Sequence, residues 1–370
     1  MKVLLLSLFD PWAEAHGGTL RTRAFLRAFD AAGCEVVCVF PGRPTGATPG
    51  VGVAVAAGGE PLGTRRLPAW LFRVKRMVLP IPTAMGARSR AVAEVLRAEA
   101  PDLLCVHSVA QAAYADALPG VPLWFDMSDL LSEFAAREAA SRPVMARHVA
   151  GLQRRQIMRA EAAYVARSVV ATTAGWSDAH VVAGRTGAPV EWLPTPVDVA
   201  PLPMPDPAPR SAGFIANFAF SPNTDAWQVL VEHWLPPLLA AGWDVVVAGL
   251  GSESLPDLPG VQRLGRVGDV AEFYERVSLT LAPIRLGGGM KVKVVESLLA
   301  GRPVVASDFA VEGFPPEIRS LVTVVDVERP DLSVLHDGLP AIPAGAATAL
   351  SAFRADAFGE RLGDLLGRLG

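Results

Sequence analysis

The stretch PIRLGGGMKVKVVESLLAGRPVVAS, residues 283–307, carries the strongest structural signal in the chain. It follows the apolar run LTLA and has three consecutive glycines at 287–289. The next residues have helical spacing until Gly301, and Pro303 precedes a second apolar run, VVAS. The predicted order is strand, glycine turn, helix and strand, which is the repeating unit of parallel α/β sheets.

The turn and the helix after it form a predicted phosphate site. Glycine lets a backbone approach a ligand closely, and the first turn of a helix carries about half a unit of positive charge. Lys291 and Lys293, two of only four lysines in the chain, add full charges there. Glu296 lies one turn deeper on the same side as Lys293 and can accept hydrogen bonds from ribose hydroxyls. The pattern predicts a nucleoside diphosphate; the alternative is a glycine loop beside a solvated Lys293–Glu296 pair.

The composition limits the class of protein. A length of 370 residues suits about two domains, and a hydrophobic content of 51% allows sizeable cores. A net charge of −3 provides no basic field for nucleic acid, so we expect no nucleic-acid partner. Three cysteines in apolar runs favour buried thiols over a disulfide framework or a zinc site, and the opening MKVLLLSLF is too short for a signal peptide or membrane span. We therefore expect a cytoplasmic location.

Apolar runs of strand length alternate with amphipathic helical segments along the chain, which predicts an α/β fold of two doubly wound, Rossmann-like domains. Residues 193–209 contain seven prolines, which can neither continue a helix nor occupy a central strand. We place the boundary there, with an N-terminal domain over 1–195 and a second domain over 196–345. The helical pattern over 346–370 predicts a terminal helix that packs on either domain.

Four blocks of the second half, in this order, resemble family 4 of the retaining glycosyltransferases: AGFIANFAFSPNTDAWQVLVEHWLPPLL, WDVVVAGLG, VQRLGRVGDVAEFY and the stretch 283–307. The first half resembles the family more weakly, through VLLLSLFDPWAEAHGGTLRTRAFLRAFDAAGCEVVCV and DLLCVHS. The resemblance implies the GT-B architecture, in which two Rossmann-like domains face a central cleft. The nucleotide-sugar donor is then expected mainly on the C-terminal domain and the acceptor mainly on the N-terminal one.

The same resemblance implies an activity. We expect a hexosyltransferase-type enzyme that moves a sugar, with retention, from a nucleotide-diphosphate sugar to a hydroxyl acceptor. The acceptor would be a saccharide, a lipid-linked saccharide or a natural-product aglycone, and the pathway polysaccharide or glycoconjugate biosynthesis. The alternatives are a GT-B nucleotide-sugar epimerase or hydrolase, and a nucleotide-sugar-binding protein whose catalytic cleft has decayed. An NAD-dependent oxidoreductase is disfavoured, because AGLGSE lacks the third glycine of that fingerprint.

The resemblance also assigns donor-site roles. Glu296 matches the second glutamate of the family's EX7E element, which holds the ribose, while Lys293 and the glycine turn face the diphosphate. The first glutamate of that element falls on Gly288, which leaves sugar recognition open. Ala216 stands where relatives often have glycine, and its methyl group would narrow the approach to the donor. The expected donor-binding residues are Asn217, Gly287, Gly288, Gly289, Lys291, Lys293 and Glu296.

The first domain offers a second group of candidates at predicted strand ends. His16, Gly17 and Gly18 lie between the first strand and first helix, and the resemblance places the glycines near the diphosphate and acceptor; the alternative is a tight turn. His107 ends one strand and is either near the reacting sugar, as the resemblance implies, or structural. Asp126 either orients an acceptor hydroxyl or caps the next helix. We predict His107 and Asp126 as the catalytic residues.

The sequence contains no DxD triplet, zinc-ligand spacing or nucleophile elbow, so we expect no metal and no cofactor other than the nucleotide sugar as co-substrate. The helix N-terminus and the lysines would then neutralise the leaving diphosphate. For a retaining transfer we expect front-face attack, in which the departing phosphate takes the acceptor's proton; this choice rests on the family resemblance.

One further segment is basic and amphipathic. Residues 65–82, RRLPAWLFRVKRMVLPIP, interleave five cations with large apolar side chains. Such a segment is typical of peripheral contact with the inner face of an anionic membrane. The alternative, which we favour, is an inserted helix that lines the acceptor cleft with its aromatic face buried.

Overall fold

The fold divides into two compact units. The computed structural model describes residues 1–8, 10–13, 17–40, 44–55, 88–140, 144–204, 210–336, 338–343 and 345–369. Unit one comprises Met1–Pro196 with Ala355–Gly370, and unit two comprises Val197–Arg354. The change from one unit to the other at Pro196 lies one residue after the boundary expected from the proline-rich segment.

Parallel strands form the centre of unit one. In the described residues their order is β3-β2-β1-β4-β5-β6-β7, so that the winding reverses between β1 and β4. The five central strands are almost wholly buried, because helices cover both faces of a parallel sheet, whereas the edge strands β3 and β7 are partly exposed. They are β1 (Lys2–Leu6), β2 (Glu35–Phe40), β3 (Val51–Val55), β4 (Leu103–His107), β5 (Leu123–Met127), β6 (Val170–Thr173) and β7 (Glu191–Trp192).

The helices of unit one connect these strands. The aromatic rings of α1 pack edge-on against Trp124 of β5, with centroids 5.8 Å away for Phe25 and 5.6 Å for Phe29. A left-handed Gly187 ends the last of these helices before β7. The helices are α1 (Gly17–Ala31), α2 (Arg88–Glu99), α3 (Val109–Ala112), α4 (Leu131–Ala140), α5 (Val144–Arg167) and α6 (Trp176–Thr186).

Unit two repeats the same design with a second parallel sheet. Its order in the described residues is β10-β9-β8-β11-β12-β13, with the reversal between β8 and β11. The strands are β8 (Ser211–Ile215), β9 (Asp244–Ala248), β10 (Val261–Gly265), β11 (Leu279–Ala282), β12 (Val304–Ser307) and β13 (Thr323–Val325). The helices are α7 (Ser221–Val229), α8 (Leu235–Ala240), α9 (Ala271–Tyr274), α10 (Val292–Leu299), α11 (Asp308–Val311) and α12 (Pro316–Arg319). The two sheets confirm the predicted α/β class with two Rossmann-like domains.

The C-terminal segment contains two helices where the sequence predicted one. Helix α13 (Ala346–Leu350) and a 3₁₀ turn belong to unit two, where Phe353 is fully buried against Phe314. Arg354 then adopts an extended conformation, and α14 (Ala355–Gly367) packs into unit one. The helix breaks because its two halves bury their apolar residues in different cores.

Candidate active-site residues

The triglycine turn joins β11 to α10. Gly287 and Gly289 have φ angles of 123° and 56°, which favour glycine. The ammonium group of Lys291 donates hydrogen bonds of 2.9 Å to the carbonyl oxygens of Gly288 and Gly289, and it lies 4.6 Å from the centroid of the Phe309 ring. The charge of Lys291 therefore stabilises the turn itself.

Lys293 lies on the first turn of α10. Its ammonium group donates a 3.3 Å hydrogen bond to Oδ1 of Asn223 and lies 4.7 Å from the centroid of the Phe214 ring. Burial lowers the pKa of Lys293 to about 8, an effect that Glu296 opposes and Lys291 reinforces. The ammonium group thus carries its charge at neutral pH but is close to titration.

Glu296 lies one turn further along the same side of α10 and is partly buried. Its Oε2 accepts a 3.0 Å hydrogen bond from the hydroxyl of Tyr274. Burial raises the pKa of Glu296, although the Tyr274 hydrogen bond and the charge of Lys293 both act to lower it. A cation and a carboxylate with shifted pKa values, side by side after a glycine turn, are typical of a ligand site.

The loop after β8 supports Lys293. Oδ1 of Asn217 accepts a 2.9 Å hydrogen bond from the backbone N–H of Ala219, and the Asn217 carbonyl accepts one of 2.8 Å from the side-chain amide of Asn223. Asn217 therefore shapes its own loop, and Asn223 connects that loop to Lys293. Ala216 is buried. The backbone of Gly249 approaches it so closely that a Cβ atom added to Gly249 would lie only 2.0 Å from the Ala216 carbonyl oxygen.

Asp126 in unit one is completely buried and paired with Arg21 of α1. The guanidinium donates from Nε to Oδ2 at 2.7 Å and from Nη2 to Oδ1 at 2.5 Å, and Thr172 donates to Oδ1 at 2.6 Å. Burial acts to raise the pKa of Asp126, but Arg21 holds it below its ordinary value. The carboxylate thus neither caps a helix, the alternative derived from the sequence, nor faces solvent.

His107 belongs to the same buried group. It is 5% exposed, and its Nδ1 lies 3.2 Å from the Thr22 hydroxyl. Its Nε2 lies 3.8 Å from Oδ2 of Asp126 and, in the described part of the chain, has no hydrogen-bond partner. Burial lowers the pKa of His107 to about 4, with Asp126 acting against the shift and Arg21 with it. The imidazole is therefore neutral at pH 7.

The remaining predicted residues of unit one are only partly described. Gly17 and Gly18 are the first two residues of α1, and the Gly18 carbonyl accepts a 3.0 Å hydrogen bond from Thr22. His16 and the segment 65–82 lie outside the described residues. Among the residues that are described, no helix has the length and apolarity needed to cross a membrane, and no cluster of His, Cys, Asp and Glu could hold a metal ion.

Sequence reasoning missed three residues that these groups depend on: Arg21, Asn223 and Tyr274. Arg21 precedes Phe25 by one helical turn on the buried stripe of α1, which is a readable signal for a buried arginine. Asn223 lies within the quoted block SPNTDA at the start of α7. Tyr274 has no local signal, because its contact with Glu296 depends on how α9 packs beside α10.

Unit two matches a known protein family. Residues 209–331, about a third of the chain, match the family model described as "Glycosyl transferases group 1". No curated protein sequence shows significant similarity to the chain.

Several solved structures share the fold over nearly the whole length. Sucrose-phosphate synthase from Thermosynechococcus elongatus is 15% identical with a TM-score of 0.70, covering 100% of this chain and 98% of that protein. HepE of Anabaena, solved with UDP and glucose, is 12% identical with a TM-score of 0.65, and 99% of each chain is covered. The calicheamicin glycosyltransferase CalG4 is 13% identical with a TM-score of 0.55, covering 100% and 99%.

The family match and the shared fold both support glycosyltransferase function. The chain has the GT-B fold of the glycosyltransferases, and its second unit carries a domain that matches the group 1 family.

Proposed function

We propose that the protein is a retaining, metal-independent hexosyltransferase of family 4 that uses a nucleotide-diphosphate sugar and a hydroxyl acceptor. The observation that carries the proposal is the placement of Lys293 and Glu296 on one side of α10, directly after the triglycine turn. The helix N-terminus and the ammonium group complement a diphosphate, and the carboxylate complements ribose hydroxyls.

The proposed reaction is a front-face substitution at the anomeric carbon. The acceptor oxygen forms its bond to that carbon on the face from which the diphosphate leaves. The bond between the anomeric carbon and the phosphate oxygen breaks, its electron pair goes to the diphosphate, and the departing phosphate oxygen takes the acceptor's proton. Lys293 and the first turn of α10 stabilise the developing negative charge. The part of Lys291 is to hold the turn in shape, since its ammonium group bonds the turn carbonyls.

In this proposal the predicted catalytic pair of unit one has two different roles. His107 has an Nε2 without a hydrogen-bond partner in the described residues, and this atom suits a hydrogen bond to a sugar or acceptor hydroxyl. Asp126 stays bound to Arg21 and positions the elements around His107.

The experiment is calorimetric titration with UDP-, GDP- and ADP-sugars, followed by transfer assays with a panel of hydroxyl acceptors. UDP-sugars come first, because HepE was solved with UDP and glucose. Lys293→Ala and Glu296→Ala are each expected to weaken donor use by about tenfold to a thousandfold, while the free energy of unfolding changes by about 1 kcal/mol or less. Lys2→Ala, which removes an ammonium group bound to Glu99 in unit one, is the matched control.

The outcomes separate the alternatives. Donor binding with transfer to an acceptor supports the proposal. Donor binding without any turnover supports a nucleotide-sugar-binding protein, and an altered donor sugar in the absence of acceptor supports an epimerase. If Lys293→Ala or Glu296→Ala unfolds but its folded fraction keeps the wild-type kinetics, the residues are structural.

The cytoplasmic location and the membrane contact of residues 65–82 remain predictions. Sedimentation with vesicles that contain anionic lipids, compared with neutral vesicles, tests the membrane contact. Binding that is equal for both vesicle types, or absent, contradicts it.

A further inference from the structure

Tyr274 connects α9 to the donor helix α10 through one hydrogen bond. The residue is fully buried, and its hydroxyl donates to Oε2 of Glu296 at 3.0 Å. Within the described residues Glu296 is the hydrogen-bond partner of this hydroxyl. Burial, followed by the charge of Glu296, raises the pKa of Tyr274 well above its ordinary value, so the phenol remains a donor throughout the neutral range.

A buried arginine fixes the position of this tyrosine. Arg302 is fully buried and donates from Nε to the carbonyls of Tyr274 and Val277, both at 2.8 Å. Its Nη1 also donates to the carbonyl of Ala300, at 3.3 Å, where α10 ends. One guanidinium group therefore holds the backbone of α9 and the end of α10 in register, and this register brings the phenol to Glu296.

We infer that Tyr274 is a positioning residue for the donor: its hydroxyl occupies Oε2 of Glu296 and leaves Oε1 to accept hydrogen bonds from the ribose hydroxyls. The inference rests on the proposed function, which assigns Glu296 to the ribose. A carboxylate with two free oxygens turns about its last bond, whereas one oxygen bound to a buried phenol holds the group in a single orientation. Less conformational freedom is then lost when the donor binds.

The inference has a consequence for the pH dependence of donor binding. In the part of the chain that the structure describes, the charged or titratable groups that act on Glu296 are Tyr274 from α9 and Lys293 from its own helix, and Lys291 acts on Lys293. Burial raises the pKa of Glu296, and the hydrogen bond from Tyr274 opposes that rise. The ionised carboxylate, and with it donor affinity, is present above this pKa and is lost as the pH falls through it. Removal of the phenol hydroxyl must move this loss to higher pH.

The test is Tyr274→Phe, titrated with a nucleotide sugar at several pH values from 5 to 8. The acid limb of donor affinity is expected to move upward by about one pH unit, which is about a tenfold loss of affinity on that limb. A smaller loss that does not depend on pH should accompany it, because the carboxylate is no longer held in one orientation. Tyr164→Phe is the matched control, because it removes a buried phenol hydroxyl that donates to Asp116 in unit one, and it leaves the limb in place. Glu296→Asp keeps the charge but draws it away from Tyr274, and it should show a smaller upward shift, because an aspartate ordinarily titrates a few tenths of a pH unit lower than a glutamate.

The possible results are distinct. A wild-type protein that binds no nucleotide sugar overturns the proposed function together with this inference. Wild-type binding with an acid limb that Tyr274→Phe leaves unmoved overturns the inference alone. A loss of affinity that is equal at every pH, with the acid limb unmoved, shows that the tyrosine is only structural and overturns the inference as well. If Tyr274→Phe fails to fold, Glu296→Asp decides: an unmoved limb in that variant is also contrary to the inference.

Discussion

The two units place polar side chains at the same position, the carboxyl edge of a parallel sheet, yet they pair them to different degrees. In unit one, Asp126 is completely buried and accepts three hydrogen bonds, two of them from Arg21. In unit two, Glu296 is partly buried and accepts one from a phenol, while Lys293 has one long bond to an amide. Position at a sheet edge thus identifies a candidate, and we expect incomplete pairing and partial exposure to distinguish a ligand-binding group from a structural one.

The largest expected effect is on stability, in unit one. Asp126→Ala leaves the Arg21 guanidinium buried without its carboxylate, and we expect the free energy of unfolding to fall by about 3–5 kcal/mol. Denaturant unfolding measures the change. Asp116→Ala removes a half-exposed carboxylate that pairs with Arg167, and it should lower stability by about 1 kcal/mol or less. Equal effects for the two variants would contradict the structural role of the buried pair.

The second prediction concerns acid. The pKa of His107 is lowered from 6.5 to about 4 in the folded state, so the unfolded chain takes up this proton first as the pH falls. The contribution of His107 to stability is complete above about 6.5 and is lost progressively towards pH 4, for a total of about 3 kcal/mol. Asp126, whose pKa is lowered, adds a further loss at still lower pH.

Unfolding measured between pH 7 and pH 4 checks this prediction. His107→Gln should flatten the pH dependence, whereas His180→Gln, which changes an exposed histidine on α6, should leave it unaltered. If the stability of the wild-type protein did not change between pH 7 and pH 4, His107 would be accessible to solvent. Burial would then no longer distinguish the polar groups of unit one from those of unit two.

The third prediction concerns the titration of Lys293 in unit two. Because the pKa of Lys293 is lowered to about 8, donor affinity should decline above that pH by about tenfold per unit. Lys293→Arg keeps a charged group at all these pH values, so the decline should disappear even if the affinity at pH 7 is reduced. Calorimetry from pH 7 to 9.5 makes the comparison. If donor affinity still declined at high pH in Lys293→Arg, the decline would belong to another group.

The smallest effect is expected for a partly exposed ion pair close to the triglycine turn. Arg285 donates from Nε and Nη2 to Asp225 of α7, with both shortest distances at 3.0 Å, and its side chain is 37% exposed. Asp225→Asn should lower the free energy of unfolding by about 1 kcal/mol or less, as measured by thermal unfolding. A loss close to that of Asp126→Ala would show that unit two also depends on a structural ion pair.

The α/β class was predictable because hydrophobic periodicity and proline content are local properties of the sequence. The edge strand β3 (Val51–Val55) was not predicted: it is short and contains Gly52, which lacks strand propensity. The terminal helix was predicted as one piece, since no proline or glycine marks its break at Arg354. That break follows from two separate cores, which a helical pattern does not report.

The candidate site, like the fold, was only partly predictable from the sequence. Lys293 and Glu296 stand beside three glycines and are recognised from spacing alone. Their partners are not, because Tyr274 lies 22 residues before Glu296 and Asn223 lies 70 residues before Lys293, in elements whose contacts depend on tertiary packing. For the same reason the burial of Asp126 was not foreseen, since Arg21 lies 105 residues away from it. Spacing in the sequence predicts which residues share a face of a helix or strand, but not which of these faces another element covers.

The closing helix α14 has a consequence for how the chain is made. Phe358, Leu362 and Leu365 fill the cluster around Phe25 and Trp124, so unit one begins first on the ribosome and is completed last. All of unit two is synthesised while that cluster remains open. A nascent or stalled chain that ends before residue 355 therefore presents an unfilled apolar groove, which makes chaperone dependence and aggregation of incomplete chains the expected phenotype.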